Sequence, residues 1–393
     1  MKITLGRPFL KKEIILKEIE KVLDSKWISN GPTISIFENA IKEYNNDKGG
    51  YYIAVSNGTV AIEVSLLYIN GGKFFNEDDE IIAPSWSWVA SSFSVPRVGA
   101  TLVWCDINSF GVPYTKDIEE RITNKTKAII IVHQMGIPCD IDKINELGKK
   151  YDIPIIEDGA CAIGSEYKNK KIGISDNIVT YSFQARKVLT TGEGGMIVVR
   201  DKETEEWLRS YRAFGTNNLP YARDNSNKVL IESFDKLGGN YKMSDINAAV
   251  GLAHLQYIDE EIELRTKAAK YYNEKIKDLN LRYGGIFIGN QVPDYCTRYN
   301  WQNYHILLDR QQYLRNDVLR LLKNEGIGCK WDIGSTHLEP VFCGKYNGSN
   351  LPNTDKFSSS GLWLPFFAEI TKEEQDYVID SLEEILKVFN STI

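Results

Sequence analysis

The stretch NIVTYSFQARKVLTTGEGGMIVV, residues 177–199, decides the fold. Two apolar runs, Asn177 to Phe183 and Gly195 to Val199, flank a polar insert that carries a single lysine, Lys187, and two glycines, Gly192 and Gly194. Apolar residues on both faces of a short run mark a strand buried in a helix-covered sheet. Reading outward, similar runs lie at Tyr52 to Val55, Glu80 to Ala83, Thr101 to Asp106, Ala128 to His133 and Pro154 to Glu157. Amphipathic helices separate many of them, for example Thr59 to Leu67, Ile141 to Lys150 and Lys202 to Arg212. The pattern predicts an α/β fold up to about Asn240, with a mainly parallel sheet between helices.

The two ends read differently. Apolar residues recur at helical spacing from Leu10 to Leu23 and from Ile34 to Tyr44, around the turn WISNGP. Ser244 is expected to cap one long helix running past Ile262 to Ile276, after which no central-strand pattern resumes. Thr371 and Glu374 form a capping box before a stripe at Val378, Leu382, Ile385 and Leu386. We therefore expect an N-terminal arm and large domain over 1–245 and a small C-terminal domain over 246–393. The polar stretch Thr216 to Asn227 has no periodicity and is expected to be a mobile loop.

Composition narrows the function. Lys plus Arg number 47 against 53 Asp plus Glu, so the mild charge of -6 offers no footprint for nucleic acid or an anionic membrane. The six cysteines are scattered singly without a CxxC pair, as free thiols in a reducing compartment are, and no metal is called for. The segment MKITLGRPFLKKE lacks an apolar signal core and no run is long enough to span a membrane, so a cytoplasmic protein is expected.

GxGxxG, P-loop, HExxH and GxSxG motifs are absent; the glycine cluster has Ile197 where the last glycine of the first motif would fall. What remains lies at strand ends, where open α/β sheets bind ligands. Ser56-Asn57-Gly58-Thr59 is either a tight turn capped by Thr59 or a helix start suited to a phosphate. Glu157-Asp158 closes a buried strand, as helix caps or as functional carboxylates. In PSWSWVAS, Trp86 and Trp88 are core aromatics or, for Trp88, a surface on which a ring could lie. Lys187, between Ser182 and the run Thr190-Thr191-Gly192, can serve as an imine-forming nucleophile. A lysine, a carboxylate, an aromatic platform and phosphate donors at a helix start are together what pyridoxal 5'-phosphate requires.

At this point the chain resembles the DegT/StrS-type sugar aminotransferases, a branch of the fold type I pyridoxal phosphate enzymes. The likeness runs from KWISNGP through AVSNGTVAI, IIAPSWSWVASS and IIEDGACAIGSEY to YSFQARKVLTTGEGGMIV, GGNYKM and THLEPVF. It implies a large domain with a mixed, mostly parallel seven-stranded sheet and a smaller C-terminal α+β domain. It gives Lys187 as the cofactor-linking and proton-moving lysine, Asp158 as partner of the pyridine nitrogen and Trp88 as the stacking ring. Gly58, Thr59 and Ser182 are implied to hold the phosphate, with Asn240 reaching the phosphate of the neighbouring subunit in a homodimer with shared sites. Gln184 and His337 are implied near the substrate. Two departures stand out: Cys161 where the family most often has Gln or His, and Arg186 where a small residue usually precedes the lysine.

The implied reaction moves an amino group from L-glutamate or L-glutamine to a keto-sugar, foremost a nucleotide-linked keto-6-deoxyhexose. SFQ, with Gln184, and SWVASS also resemble members that aminate keto-cyclitols, so a keto-cyclitol or other small non-nucleotide ketone is the alternative acceptor. A non-catalytic cofactor-binding regulator is the remaining reading, and its expected signature, loss of Lys187 or Asp158, is missing here.

Overall fold

The computed structural model describes residues 1–217, 229, 231–342 and 350–391; most of the predicted loop at 216–227 therefore lies outside the described residues, as does Cys343. Helices α1 (Lys12–Ser25) and α2 (Pro32–Tyr44) open the chain. Gly31, which precedes α2, has no side chain to cap it. The cap comes from far along the sequence: the amides of Gly31 and Thr33 donate to the carboxylate of Asp245 at 2.8 and 2.9 Å.

Strands and helices then alternate: β1 (Tyr51–Val55), α3 (Gly58–Ile69), β2 (Glu80–Pro84), α4 (Val89–Arg97), β3 (Thr101–Cys105), α5 (Thr115–Arg121), β4 (Thr126–Val132), α6 (Ile141–Tyr151) and β5 (Ile155–Asp158). A short hairpin, β6 (Glu166–Tyr167) and β7 (Lys170–Lys171), leads to β8 (Ile178–Ser182), β9 (Gly195–Val199) and α7 (Lys202–Tyr211). The large sheet has the order β1-β9-β8-β5-β4-β2-β3. Its seven strands are the seven read from sequence. β9 runs antiparallel to β1 and β8, and the remaining pairs are parallel. The parallel strands β2, β4, β5 and β8 direct their C-terminal ends to one edge, where the site lies.

The expected single helix after Ser244 is two, α8 (Asp245–Leu255) and α9 (Ile258–Tyr283). Ser244 does cap the first, its hydroxyl accepting from the Asn247 amide at 3.1 Å. The break falls at Tyr257, whose backbone leaves the helical region at φ -132° and ψ 19°. A second sheet follows, which the sequence pattern had hidden: β10 (Ile286–Ile288), β12 (Tyr304–Leu308), β13 (Lys330–Trp331) and β14 (Gly361–Leu364), ordered β10-β12-β14-β13 and antiparallel throughout. β11 (Cys296–Arg298) instead joins the β6–β7 hairpin. Helices α10 (Arg315–Asn324), α11 (Pro352–Ser360) and α12 (Lys372–Ser391) complete the chain. The capping box forms reciprocally, Thr371 N to Glu374 Oε2 at 2.9 Å and Glu374 N to Thr371 Oγ1 at 3.1 Å. Ile3 belongs to the apolar core of this C-terminal half and bridges to Ile327.

A buried polar knot ties α2, β1 and α7. Glu38 accepts from the Ala54 amide and from Arg212, both at 2.8 Å, and its other oxygen lies 2.8 Å from Arg209. Burial depresses the Arg212 pKa, and Glu38 offsets that depression. Glu38→Leu leaves Arg212 buried without its counter-charge and is expected to cost about 3–5 kcal/mol of stability, read as a lower urea midpoint.

Candidate active site

The lysine sits on a loop that folds back on itself. Phe183 N donates to Gly194 O at 2.8 Å, and Phe183 O accepts from the Thr190 hydroxyl and the Thr191 amide at 2.9 and 3.0 Å. Asn247 Nδ2 clamps the glycine run from α8, donating to Thr191 O at 2.7 Å and Glu193 O at 3.0 Å. Gln302 clamps the lysine itself: its Oε1 accepts from Val188 N at 3.2 Å and its Nε2 donates to Arg186 O at 2.7 Å. A buried chain backs the loop. Thr190 N donates to His254 Nδ1 at 3.2 Å, His254 Nε2 lies 2.8 Å from Glu261, and Arg265 pairs with Glu261 at 2.8 Å. Because Nδ1 accepts, Nε2 is the N–H that donates to Glu261.

A cavity of about 470 Å³ opens at this edge of the sheet, and Gly58, Thr59, Trp88, Asp158, Ser182, Gln184 and Lys187 all line it. Alternation along β5 separates the two carboxylates the sequence left undecided. Glu157 turns to the interior, accepting from His133 at 2.9 Å and Asn177 at 2.7 Å. Burial works to raise its pKa, but those hydrogen bonds hold it below the ordinary carboxylate range. Asp158 faces the cavity, oriented by the Ser91 hydroxyl at 2.7 Å and the Ala160 amide at 3.0 Å. Lys187 Nζ lies 3.1 Å from Cys161 Sγ, so one of the two departures from the family pattern touches the lysine directly.

The two tryptophans part company. Trp86 is fully buried, its indole N–H donating to Asp332. Trp88 is 58% exposed and forms the cavity wall at the start of α4. At the start of α3 the capping residue is Asn57 rather than Thr59, its side chain accepting from Val60 N at 2.9 Å. The first-turn amides of Gly58 and Thr59 have no intrahelical acceptor.

Two residues named from sequence stand apart from the cavity lining. Asn240 is exposed and accepts from Lys242 Nζ at 2.6 Å. His337 is held behind the site, with Nδ1 2.6 Å from the Ser85 hydroxyl and its ring edge-on to Trp104 at 6.3 Å. Burial depresses the pKa of His337. Sequence reading missed Ser91, Gln302, Asn303, Lys330 and Trp363. Ser91 was accessible to it, three residues after Trp88 and so on the same helical face; the others come from segments with no pattern to mark them. Lys330 lies 5.3 Å from the Trp88 ring centroid and 5.1 Å from that of Trp363. Burial pushes its ammonium below the ordinary lysine range, Asp332 opposes this, and Arg186 adds to it.

This donor set fits pyridoxal phosphate. The decisive observation is spatial: a Cβ on Gly58 would lie 2.7 Å from Ser182 Cβ, so only glycine keeps the helix start and the β8 end together at the cavity floor. Gly58→Ala is expected to weaken cofactor binding about tenfold, measured by titrating the apoprotein with pyridoxal phosphate.

A family model described as the DegT/DnrJ/EryC1/StrS aminotransferase family matches residues 10–383. The chain is 34% identical over 368 residues to the GDP-perosamine synthase of Escherichia coli O157:H7, covering 93% of this chain and 94% of that protein. PseC of Helicobacter pylori, an aminotransferase involved in the biosynthesis of pseudoaminic acid, superposes with a TM-score of 0.87 at 25% identity over 100% of both chains. DesV of S. venezuelae superposes with a TM-score of 0.84 at 26% identity, over 98% of this chain and 99% of that one.

Proposed function

Since the chain belongs to the DegT/DnrJ/EryC1/StrS aminotransferase family, we propose that it transfers the amino group of L-glutamate or L-glutamine to a nucleotide-linked keto-6-deoxyhexose, in amino-sugar biosynthesis for surface polysaccharide or related glycans. It is an aminotransferase of the fold type I class and uses pyridoxal phosphate. The observation that carries the proposal is the meeting of Lys187, Asp158 and the Gly58–Thr59 helix start around one cavity. The GDP-perosamine synthase likeness supports a nucleotide-linked acceptor.

When bound, the cofactor supplies an aldehyde that takes up the amino group and a ring that accepts the electron pair left by proton removal. Lys187 Nζ would hold the cofactor and, as the cavity's primary amine, would carry the proton as general base and then general acid. Gln302 and His254 restrict where that nitrogen can go by fixing the backbone on both sides of it. Asp158, with its carboxylate aimed by Ser91, keeps the ring nitrogen protonated. Trp88 supplies the stacking face, and Gly58, Thr59 and Ser182 the phosphate contacts. Gln184 lines the cavity, and the likeness of its SFQ segment and of SWVASS to members that aminate keto-cyclitols is what favours a keto-cyclitol as the second reading. His337, hydrogen-bonded to Ser85 and away from the cavity lining, keeps only the place near the substrate that the family resemblance implies.

The same reading divides the chain near residue 245, with the N-terminal arm crossing to the C-terminal core through Ile3. It places the enzyme in the cytoplasm, in keeping with the free cysteines at 105, 139, 161, 296 and 329. No helix among the described residues is long and apolar enough to cross a membrane.

Lys187→Ala is expected to abolish both turnover and the absorbance band of the lysine-bound cofactor, whereas L-glutamate should bleach that band in the wild type. Turnover surviving in that variant removes the assignment. A screen of nucleotide-linked keto-sugars against free keto-cyclitols, followed through 2-oxoglutarate release, decides the acceptor. The reading also makes the enzyme a homodimer in which the exposed Asn240 serves the neighbour's phosphate. Lys187→Ala and Asn240→Asp chains, each nearly inactive alone, should regain roughly a quarter of wild-type activity when subunits are mixed, because half the dimers are hybrids with one intact site. No recovery on subunit exchange would place Asn240 outside a shared site.

A further inference from the structure

Lys330 and Arg186 line the same cavity, and neither has a carboxylate within ion-pair range among the described residues. For Lys330 this is unexpected, because it is half-buried on β13, opposite Trp363 of β14. The neighbouring aromatic rings offset part of the cost of removing an ammonium from water, but less than a counter-ion would. Asp332, two residues on, offsets part of that cost without reaching Lys330 in an ion pair: one oxygen accepts from the Trp86 indole, and the other lies 3.4 Å from His305 with no hydrogen-bond partner. Asn303, only 8% exposed, lines the cavity with both its amide oxygen and nitrogen unpartnered, and the buried indole nitrogen of Trp363 is unpartnered too. On the other side, Gln302 fixes the backbone of Arg186 while its exposed guanidinium makes no ion pair among the described residues. The family pattern has a small residue at that position.

We infer that Lys330 and Arg186, with the Asn303 amide, form an anion subsite that recognises the substrate's charged group at the cavity. This rests on the amino-transfer reading above. A carboxylate or a phosphate would satisfy the same donors: Lys330 as a point charge, the Arg186 fork as a two-point contact, and Asn303 Nδ2 as a neutral donor. Two sources fit the reaction, the carboxylates of the amino donor and the diphosphate of a nucleotide-linked acceptor.

The test is equilibrium binding of two unreactive probes, glutarate and inorganic pyrophosphate, to the cofactor-loaded enzyme by calorimetry. Lys330→Met and Arg186→Thr should each weaken at least one probe by about fivefold or more, while Lys330→Arg, which keeps the charge, should bind within about twofold of wild type. A loss confined to glutarate assigns the subsite to the donor; one confined to pyrophosphate assigns it to the nucleotide. Smaller losses for both probes in both variants overturn the subsite, as does a loss in Lys330→Arg equal to that in Lys330→Met, which marks a packing role. The lysine-bound cofactor band checks that each variant is folded and loaded. Because the probes do not react, a protein that binds them yet moves no amino group refutes the aminotransferase reading and not the subsite.

Discussion

The site depends on three strand ends meeting with no side chain between them. A Cβ on Gly195, where β9 begins, would fall 2.8 Å from the Gly58 amide nitrogen, and one on Gly58 would collide with Ser182 at the end of β8. That contact brings the first turn of α3 beside the loop that carries Lys187. It is possible because β9 runs antiparallel between β1 and β8, so its first residue lies level with their last ones: Gly195 pairs with both Val55 and Ser182. With β9 parallel, its first residue would sit at the opposite edge, and the lysine loop would have to cross the sheet to reach the helix start.

The second constraint is what holds the loop from the far side. Gln302 precedes β12 of the small sheet, and it grips the backbone before and after Lys187. Arg265 on α9 reaches the carbonyls of Trp301 and Gln302 while also pairing with Glu261, which in turn anchors His254 under Thr190. The lysine is thus referenced to both halves of the chain. A shift of the small sheet against the large one would be transmitted to Lys187, so stability in this network and the geometry of the proposed site are coupled.

How much of this was legible follows from the length and patterning of each element. The seven large-sheet strands were readable because they are 4–7 residues long and apolar on both faces, as in Ile129, Ile130 and Ile131. In the small sheet β10 has three residues and β13 two, too few for a period to register, and β12 and β14, of five and four residues, stand isolated between irregular segments. Its register alone places Lys330 beside Trp363, so the second lysine of the cavity has no local signature. The break at Tyr257 is equally silent, since apolar spacing continues across it from Leu255 to Ile258 and Ile262. Lys187, Asp158 and Trp88 were legible because each sits at the end of a recognisable element. The separate fates of Glu157 and Asp158, and of Trp86 and Trp88, needed the partners that burial supplies: His133 for one pair, Asp332 for the other.

The net charge of -6 says little about the ligand, because the charge that matters is local. Arg186, Lys187 and Lys330 line the cavity against Asp158 and Glu193. Asp158 is already engaged by Ser91 and an amide, and Glu193 belongs to the glycine run at the cavity edge. Such a surplus of cations, partly withdrawn from water, is unfavourable in isolation and becomes favourable when an anion enters. On the proposed reading the cofactor phosphate would be served at another place, by the neutral donors of Gly58, Thr59 and Ser182, where helix amides would do the work of charge. With Lys187 given to the cofactor on that reading, Arg186 and Lys330 are left for what binds after it. A departure such as Arg186, next to an otherwise family-like lysine, fits a change in what the site recognises, since it leaves Lys187 and Asp158 in place on the cavity wall.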